Sequence, residues 1–383
     1  MSAAATGVWG RAEQQDFRSR VRGALLGAAV GDAFGAGAGA AATAATAATA
    51  AVGEAPGADG VTGPDGVTEL VPAHGRRGAV TAVTQLTLFT VDGLIRAQVR
   101  RDTGAWHPPT DVHRAYLRWA ATQRDWGPDE RRKDNGWLAC EEWLYVRRDA
   151  DRASLLGLAD SAMGTLDAPK NPAAGDGGAL ARSAPFGLLV GWEPQLVCQL
   201  AVECAAQTHG APAACVAAGA FAVIVHGLAR GGTLESAVHR ALELIAPRPG
   251  HEPVTDGLQG ALDAVRQGVP GPERVAALGD AHRAEGALAV AVYASLVAED
   301  IRHGLRLAAN HEGPSATTAS LTGALLGALH GETALPPAWL AELEGRPTVL
   351  ELADDFAMEM TQGPALHSPT HSSPGWLARY PRA

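Results

Sequence analysis

Three stretches of the chain hold residues able to do polar chemistry. The first ends at Asp32, where a helical stretch closes on a carboxylate. Such a group can serve as a general acid or base. It can also play a structural part, because a short carboxylate at a helix end accepts hydrogen bonds from nearby amides. The structural part is the expectation here. The second stretch is the Gly-rich run 171–187, N-P-A-A-G-D-G-G-A-L-A-R-S-A-P-F-G, with His209 beyond it. Glycines at 175, 177 and 178 let backbone N–H groups approach phosphate oxygens, with Arg182 nearby. A tight turn between helices would use the same glycines, and His209 can contact a ligand or sit at a turn. The third stretch holds His311, Glu312, Ser315, Thr317 and Thr318. Hydroxyls at a helix start act as caps. Together with the open N–H groups of a first turn they also make an anion seat. Both readings stay open. His311 and Glu312, joined by Asp32, offer nitrogen and oxygen donors of the kind transition metals accept.

These residues need elements to hold them. Apolar periodicity predicts a helix from Asp16 to about Ala33 and another over 79–99. Between them lie an Ala/Thr/Gly tract, 35–51, and a Gly/Pro/Asp-punctuated stretch, 52–77. Both read as one long surface excursion. Asp111 is placed to cap a helix through Arg124, and Asn135 another through Arg148. The loop 126–134, with Arg131, Arg132 and Lys133, reads as charged and solvated. Helices are expected at about 193–207, 212–229, 233–245, 254–267, 283–299, 300–309 and 316–330. A short one follows Pro336 and Pro337, and a last one spans 348–360. Trp119, Trp137 and Trp143 read as packing residues. Residues 1–15 are expected to be a disordered lead and 361–383 a loose tail. With few strands and no linker inside 16–360, one all-α domain is the simplest account.

Composition sets outer limits. The 383 residues are 46% hydrophobic, enough for a real core, and the 46 glycines with only 5% aromatics favour close helix packing. A net charge of -10 argues against a nucleic-acid or acidic-membrane partner. No apolar run is expected to span a bilayer, and Met1–Arg11 does not resemble a secretory signal. Cys140, Cys198, Cys204 and Cys215 include no C-x-x-C pair, so free thiols in a reducing cytoplasm are expected.

Four ordered segments resemble the ADP-ribosylglycohydrolase family, the DraG-like hydrolases. They are G-A-L-L-G-A-A-V-G-D-A-F-G at 23–35; G-A-V-T-A-V-T-Q-L-T-L at 78–88; the Gly-rich loop ending in R-S-A-P at 182–185 with Thr208-His209; and N-H-E-G-P-S-A-T-T at 310–318 with Gly323, Gly327, Gly331, Pro336 and Trp339. The resemblance spans roughly 16–357. It implies a single-domain orthogonal helical bundle with a central cleft, two magnesium ions and ADP-ribose above them. In the family a T-D-D cluster and a D-x-D-[ST] cluster hold the metals, and an early glutamate helps activate water.

This sequence departs at those places. T-D-D-T-Q falls on Thr81-Ala82-Val83-Thr84-Gln85, the second cluster falls on residues 312–317 with Pro314 and Ala316 in place of aspartates, and the early glutamate falls near Gly39. Mg²⁺ wants six oxygen ligands and dehydrates reluctantly. Two such ions about 3.5–4 Å apart need anionic oxygens between them. Neutral hydroxyls cannot replace four carboxylates, so neither a dinuclear magnesium site nor any other cofactor is expected. The resemblance implies ligand contacts from Gly177, Gly178, Arg182, His209, Ser315, Thr317 and Thr81. It leaves Asp32 and Glu312 as the catalytic candidates. The expected protein is a catalytically impaired relative that binds an ADP-ribose-like nucleotide or a protein partner. Two alternatives stand beside it: an active hydrolase of N- or O-glycosidic ADP-ribosyl bonds with a rearranged or metal-free site, and a regulatory scaffold with a dead cleft.

Overall fold

Apart from a two-residue antiparallel hairpin, Thr62–Gly63 (β1) against Gly66–Val67 (β2), the regular structure is helical. The computed structural model describes residues 9–52, 62, 63, 66–101, 103, 104, 106–128, 136–367 and 373–382. In chain order the helices are α1 (Arg11–Val52), α2 (Ala82–Arg101), α3 (Pro108–Thr122), α4 (Arg152–Gly157), α5 (Gly178–Ala181), α6 (Ala184–Gly187), α7 (Pro194–Ala205), α8 (Pro212–Ala229) and α9 (Leu234–Ile245). There follow α10 (Glu252–Val265), α11 (Pro272–Ala276), α12 (Ala284–Leu296), α13 (Ile301–Ala309), α14 (Ser315–His330), α15 (Pro337–Glu342), α16 (Arg346–His367) and α17 (Pro374–Arg379). The all-α expectation holds, and most periodic segments fall on helices within a few residues of their expected ends.

Glycines four apart bring α1 and α14 into backbone contact. A Cβ added at Gly23, Gly27, Gly31 or Gly35 would lie 2.1 Å from the carbonyl oxygen of Gly327, Gly323, Ala319 or Ser315 respectively. The pairing is antiparallel and keeps one register over four turns. It is reciprocal: a Cβ on Gly323 or Gly327 would meet the carbonyl oxygen of Gly27 or Gly23 at 2.0 and 1.9 Å. Each glycine costs about 0.5–1 kcal/mol of helix propensity relative to alanine. Dense backbone-to-backbone dispersion offsets that cost. α1 is tied to α16 as well: Arg22 forks onto Asp354 at 2.6 and 2.7 Å, and Arg18 reaches the same carboxylate.

The centre of the molecule is α8, an almost wholly apolar helix that packs against α5, α6, α7, α9, α10, α12 and α14. Here the expectation that no apolar helix reaches spanning length is corrected. The helix Arg11–Ala47 and α8 both have the length and apolarity of a membrane span, and 83% of the apolar 18-residue stretch in each is buried inside the protein. Both are used as core helices.

Three further expectations give way. The Ala/Thr tract is not a loop, because α1 runs on to Val52. Alanine is the best helix former, so the tract continues a helix that is already nucleated. Asp111 is not a cap. α3 starts at Pro108, where the missing N–H costs nothing, and Asp111 pairs with Arg100 at 3.0 Å. The described C-terminal residues, 361–367 and 373–382, do not hang loose. α16 continues to His367, Trp376 Nε1 donates to Glu359 at 3.1 Å, and the buried Tyr380 donates to Asp355 at 2.6 Å. Two aromatic rings seated on α16 provide the buried surface that a polar tail would lack. Of the lead expected over 1–15, residues 11–15 already belong to α1, where the periodicity extends upstream of Asp16; residues 1–8, Asn135, and Arg131, Arg132 and Lys133 lie outside the described residues.

The interlock predicts opposite outcomes for two chemically identical changes on α1. Gly31→Ala drives a methyl into the Ala319 carbonyl, which cannot move without displacing α14, and should destabilise by about 3 kcal/mol. Gly39→Ala meets no atom within 4 Å and should stabilise by about 0.5–1 kcal/mol. Urea unfolding of the two variants checks this. Equal effects would refute the interlock.

Candidate functional site

α1 delivers Asp32 to the start of α2. The carboxylate is fully buried and accepts four hydrogen bonds: from Thr81 N at 2.8 Å, Thr81 Oγ1 at 2.7 Å, Thr84 N at 3.2 Å and Thr84 Oγ1 at 2.6 Å. It thereby caps α2 across the helix interface, satisfying amides that the first turn leaves open. Burial pushes its carboxyl up to about 6, against the opposing pull of the Thr84 and Thr81 hydrogen bonds. Both oxygens are occupied by this capping, which matches the structural reading of Asp32. Thr81 is drawn into the same arrangement.

The four positions onto which the resemblance maps metal carboxylates lie at this junction and at the start of α14. Ala82 is buried, while Val83, Pro314 and Ala316 are partly exposed. None of the four carries an ionisable oxygen, so the residues present do not fit a pair of magnesium ions. The hydroxyls at α14 turn inward instead of capping. Pro314 is the N-cap residue and makes no side-chain cap bond. Ser315 Oγ points to Gly313 O at 3.4 Å, and Thr318 Oγ1 donates to Ala308 O at 2.6 Å. His311 Nε2 contacts Thr318 Oγ1 at 2.9 Å, and burial lowers its pKa. Glu312 is exposed. With Asp32 held by Thr81 and Thr84, the three do not assemble as a metal site. His311, Glu312 and Ser315 do line a cavity of about 740 Å³ whose far wall includes Ala38 and Ala42 of the α1 extension.

The Gly-rich loop builds a different cluster. Gly177 caps the short α5, and its missing side chain lets the loop approach Thr317, whose methyl would lie 3.0 Å from a Cβ there. Arg182 is 1% exposed and turned away from solvent. It donates to Ser154 Oγ at 3.0 Å and to Thr208 Oγ1, with its guanidinium 4.5 Å from the centre of the Tyr116 ring. This places Arg182 behind the loop as a tie between segments. Asn171 adds a second tie. Held at φ 45°, a left-handed conformation that Asn tolerates, it donates to Ala153 O at 2.9 Å and Thr208 O at 2.8 Å.

These ties converge on His209, which is fully buried. Its Nδ1 pairs with Thr208 Oγ1 at 2.8 Å. Its Nε2 lies 2.9 Å from Asp176 Oδ1 and 3.5 Å from Asp151 Oδ1. Asp151 caps α4 by accepting from Ser154 N at 2.6 Å, and Asp176 accepts from Gly178 N at 3.0 Å. Burial raises the Asp176 carboxyl, but the bond to His209, the charge of that imidazole and the Gly178 amide outweigh it and bring it down to about 2. One ligand atom from each of Asp151, Asp176 and His209 lies within 4.8 Å of the others. A candidate metal triad is therefore present, which does not fit an expectation of no cofactor. Sequence reading singled out His209, Gly177 and Gly178 but missed both carboxylates. An Asp between glycines in a ligand-facing loop was the available signal for Asp176. Asp151 offers only the signature of a helix cap.

Trp119, Trp137 and Trp143 are packing residues. Trp119 is buried with Nε1 bonded to Gln85 at 3.1 Å, Trp137 lies 3.7 Å beneath Arg379, and Trp143 bonds Glu141 and Thr348. All four cysteines are free, three of them buried.

Comparison with known proteins agrees with this architecture. None of the curated proteins matches the chain. A solved structure described as an "ADP-ribosylglycohydrolase-related protein complex" shares the fold, with a TM-score of 0.62 and 24% identity over 91% of this chain and 100% of that one. The family model for ADP-ribosylglycohydrolase matches residues 13–365. The chain belongs to the ADP-ribosylglycohydrolase family.

Proposed function

We propose that this protein binds an ADP-ribose-like nucleotide and does not hydrolyse it by two-magnesium chemistry. One observation carries the reading: Ala82, Val83, Pro314 and Ala316 put no anionic oxygen where two divalent ions would have to be drawn out of water. The cavity of about 740 Å³ beside Ser315 supports the binding half, since its volume falls in the range of small-molecule sites. Gly177, Gly178, Ser315 and Thr317 are the contacts we assign to the ligand. A protein partner that reads the bound nucleotide fits the same reading. The net charge of -10 supports neither nucleic acid nor an acidic membrane as partner, and the free thiols support a reducing, cytoplasmic setting.

A second reading, an active metal-free hydrolase, is favoured by Asp151 and Asp176 beside His209. Paired carboxylates with an imidazole can hold and move protons at a glycosidic bond. Asp32 is not part of that reading, because the Thr81 and Thr84 bonds occupy both its oxygens.

Calorimetry with ADP-ribose, with and without Mg²⁺, tests the proposal. The expected result is one site whose affinity ignores Mg²⁺, with no ADP-ribose released from modified arginine or serine. Release that depends on Mg²⁺ would sink it, and heat in neither titration would favour a scaffold. Asp32 supplies a separate test. Asp32→Asn should lower stability by about 2 kcal/mol, because the amide cannot accept from all four donors. The folded carboxyl sits at about 6 against an ordinary 3.8, so the folded state holds the extra proton between those values. The contribution of Asp32 is thus fully present below 3.8 and is lost as pH rises through about 6. Urea midpoints of wild type and variant should therefore converge between pH 4 and pH 7. A gap that widens over that range contradicts the assignment.

A further inference from the structure

We infer that Asp151, Asp176 and His209 form a mononuclear site for a divalent transition-metal ion of the Zn²⁺ kind, separate from the lost magnesium positions and independent of the nucleotide reading above. Three observations carry it. First, the donors already stand at ligand spacing. His209 Nε2 lies 2.9 and 3.5 Å from the two carboxylate oxygens, close to the separation of neighbouring ligands about one ion at about 2.0–2.2 Å. Second, only a glycine at 178 leaves room for Asp151 and His209 to approach each other. A Cβ on Gly178 would lie 2.8 Å from both Asp151 Oδ2 and His209 Nε2. Gly178 sits in an ordinary helical turn, so space and not backbone conformation requires a glycine there. Third, the imidazole is fixed from behind. It is fully buried, and Thr208 Oγ1, itself held by Arg182, pairs with Nδ1 and aims Nε2 at the carboxylates. Metal-bound histidines are held by such an outer partner.

The donor set also selects the ion. One imidazole nitrogen with two carboxylate oxygens suits Zn²⁺, Mn²⁺ or Co²⁺, whereas Mg²⁺ wants oxygen alone. The side chains of Asp151 and Asp176 are 25% and 46% exposed while His209 is closed off, so an ion enters from the carboxylate side and keeps solvent positions there. An open fourth position is the arrangement of catalytic rather than structural zinc.

The full-length chain, stripped with chelator, is dialysed against Zn²⁺ without nucleotide, and bound metal is counted. One equivalent per chain is expected, unchanged by a tenfold excess of Mg²⁺. Asp151→Asn is the decisive variant. Asparagine caps a helix as well as aspartate does, so α4 survives while an anionic donor is lost. Its affinity should fall by more than about tenfold, the loss caused by removing even an outer partner. Asp176→Asn and His209→Gln should do the same, and Co²⁺ substitution should give visible bands that these variants abolish. Less than a tenth of an equivalent in wild type, or equal affinity in Asp151→Asn, would overturn the proposal. ADP-ribose binding is measured separately in metal-free buffer, so failure of one reading leaves the other standing.

Discussion

The fold depends on two helix backbones that touch. With carbonyl oxygens of α14 only 2.1 Å from where side chains would begin at Gly23, Gly27, Gly31 and Gly35, α1 and α14 have one separation and one register available. Everything proposed for the cleft inherits that register. The Gly35–Ser315 contact fixes the start of α14 against α1. Asp32, one residue beyond the Gly31 contact, is carried to the start of α2. The starts of α2 and α14 are therefore positioned by the glycine spacing of α1.

Polar bonds then lock what the glycines bring together. Asp32 is a buried carboxylate without a cationic partner among its hydrogen bonds; amides and hydroxyls of Thr81 and Thr84 hold it. In a two-metal relative, a carboxylate here would stand beside strong positive charge. Here it does a helix cap's work, and its elevated proton affinity records the cost of burying charge without a cation.

Much of the scaffold was legible because amphipathic periodicity is a local signal. α8 falls where the apolar run places it, and α14 follows its small residues. The Ala/Thr tract misled because it has no apolar stripe, although its alanines are strong helix formers. The tail misled because Pro, Ser and His dominate its composition, while Trp376 and Tyr380 decide where it packs. At the site, the capping part of Asp32 was readable but not its place: it lies in the middle of α1 and caps α2 instead of ending its own helix. The triad was not readable. Asp151, Asp176 and His209 come from a helix cap, a glycine loop and a turn, and only tertiary closure makes them neighbours.

Arg182 explains why that closure is stable. A guanidinium that is 1% exposed and bonded to neutral hydroxyls is expensive unless negative charge lies close by. Both of its bonds lead to such charge, one through a single residue and the other through two. Ser154, which accepts from Arg182, donates its amide to Asp151. Thr208, the other acceptor, joins His209 and through it Asp176. The cation and the two carboxylates thus stabilise one another across a short polar network whose only opening is on the carboxylate side. Such a network tolerates the buried arginine and holds the imidazole in place.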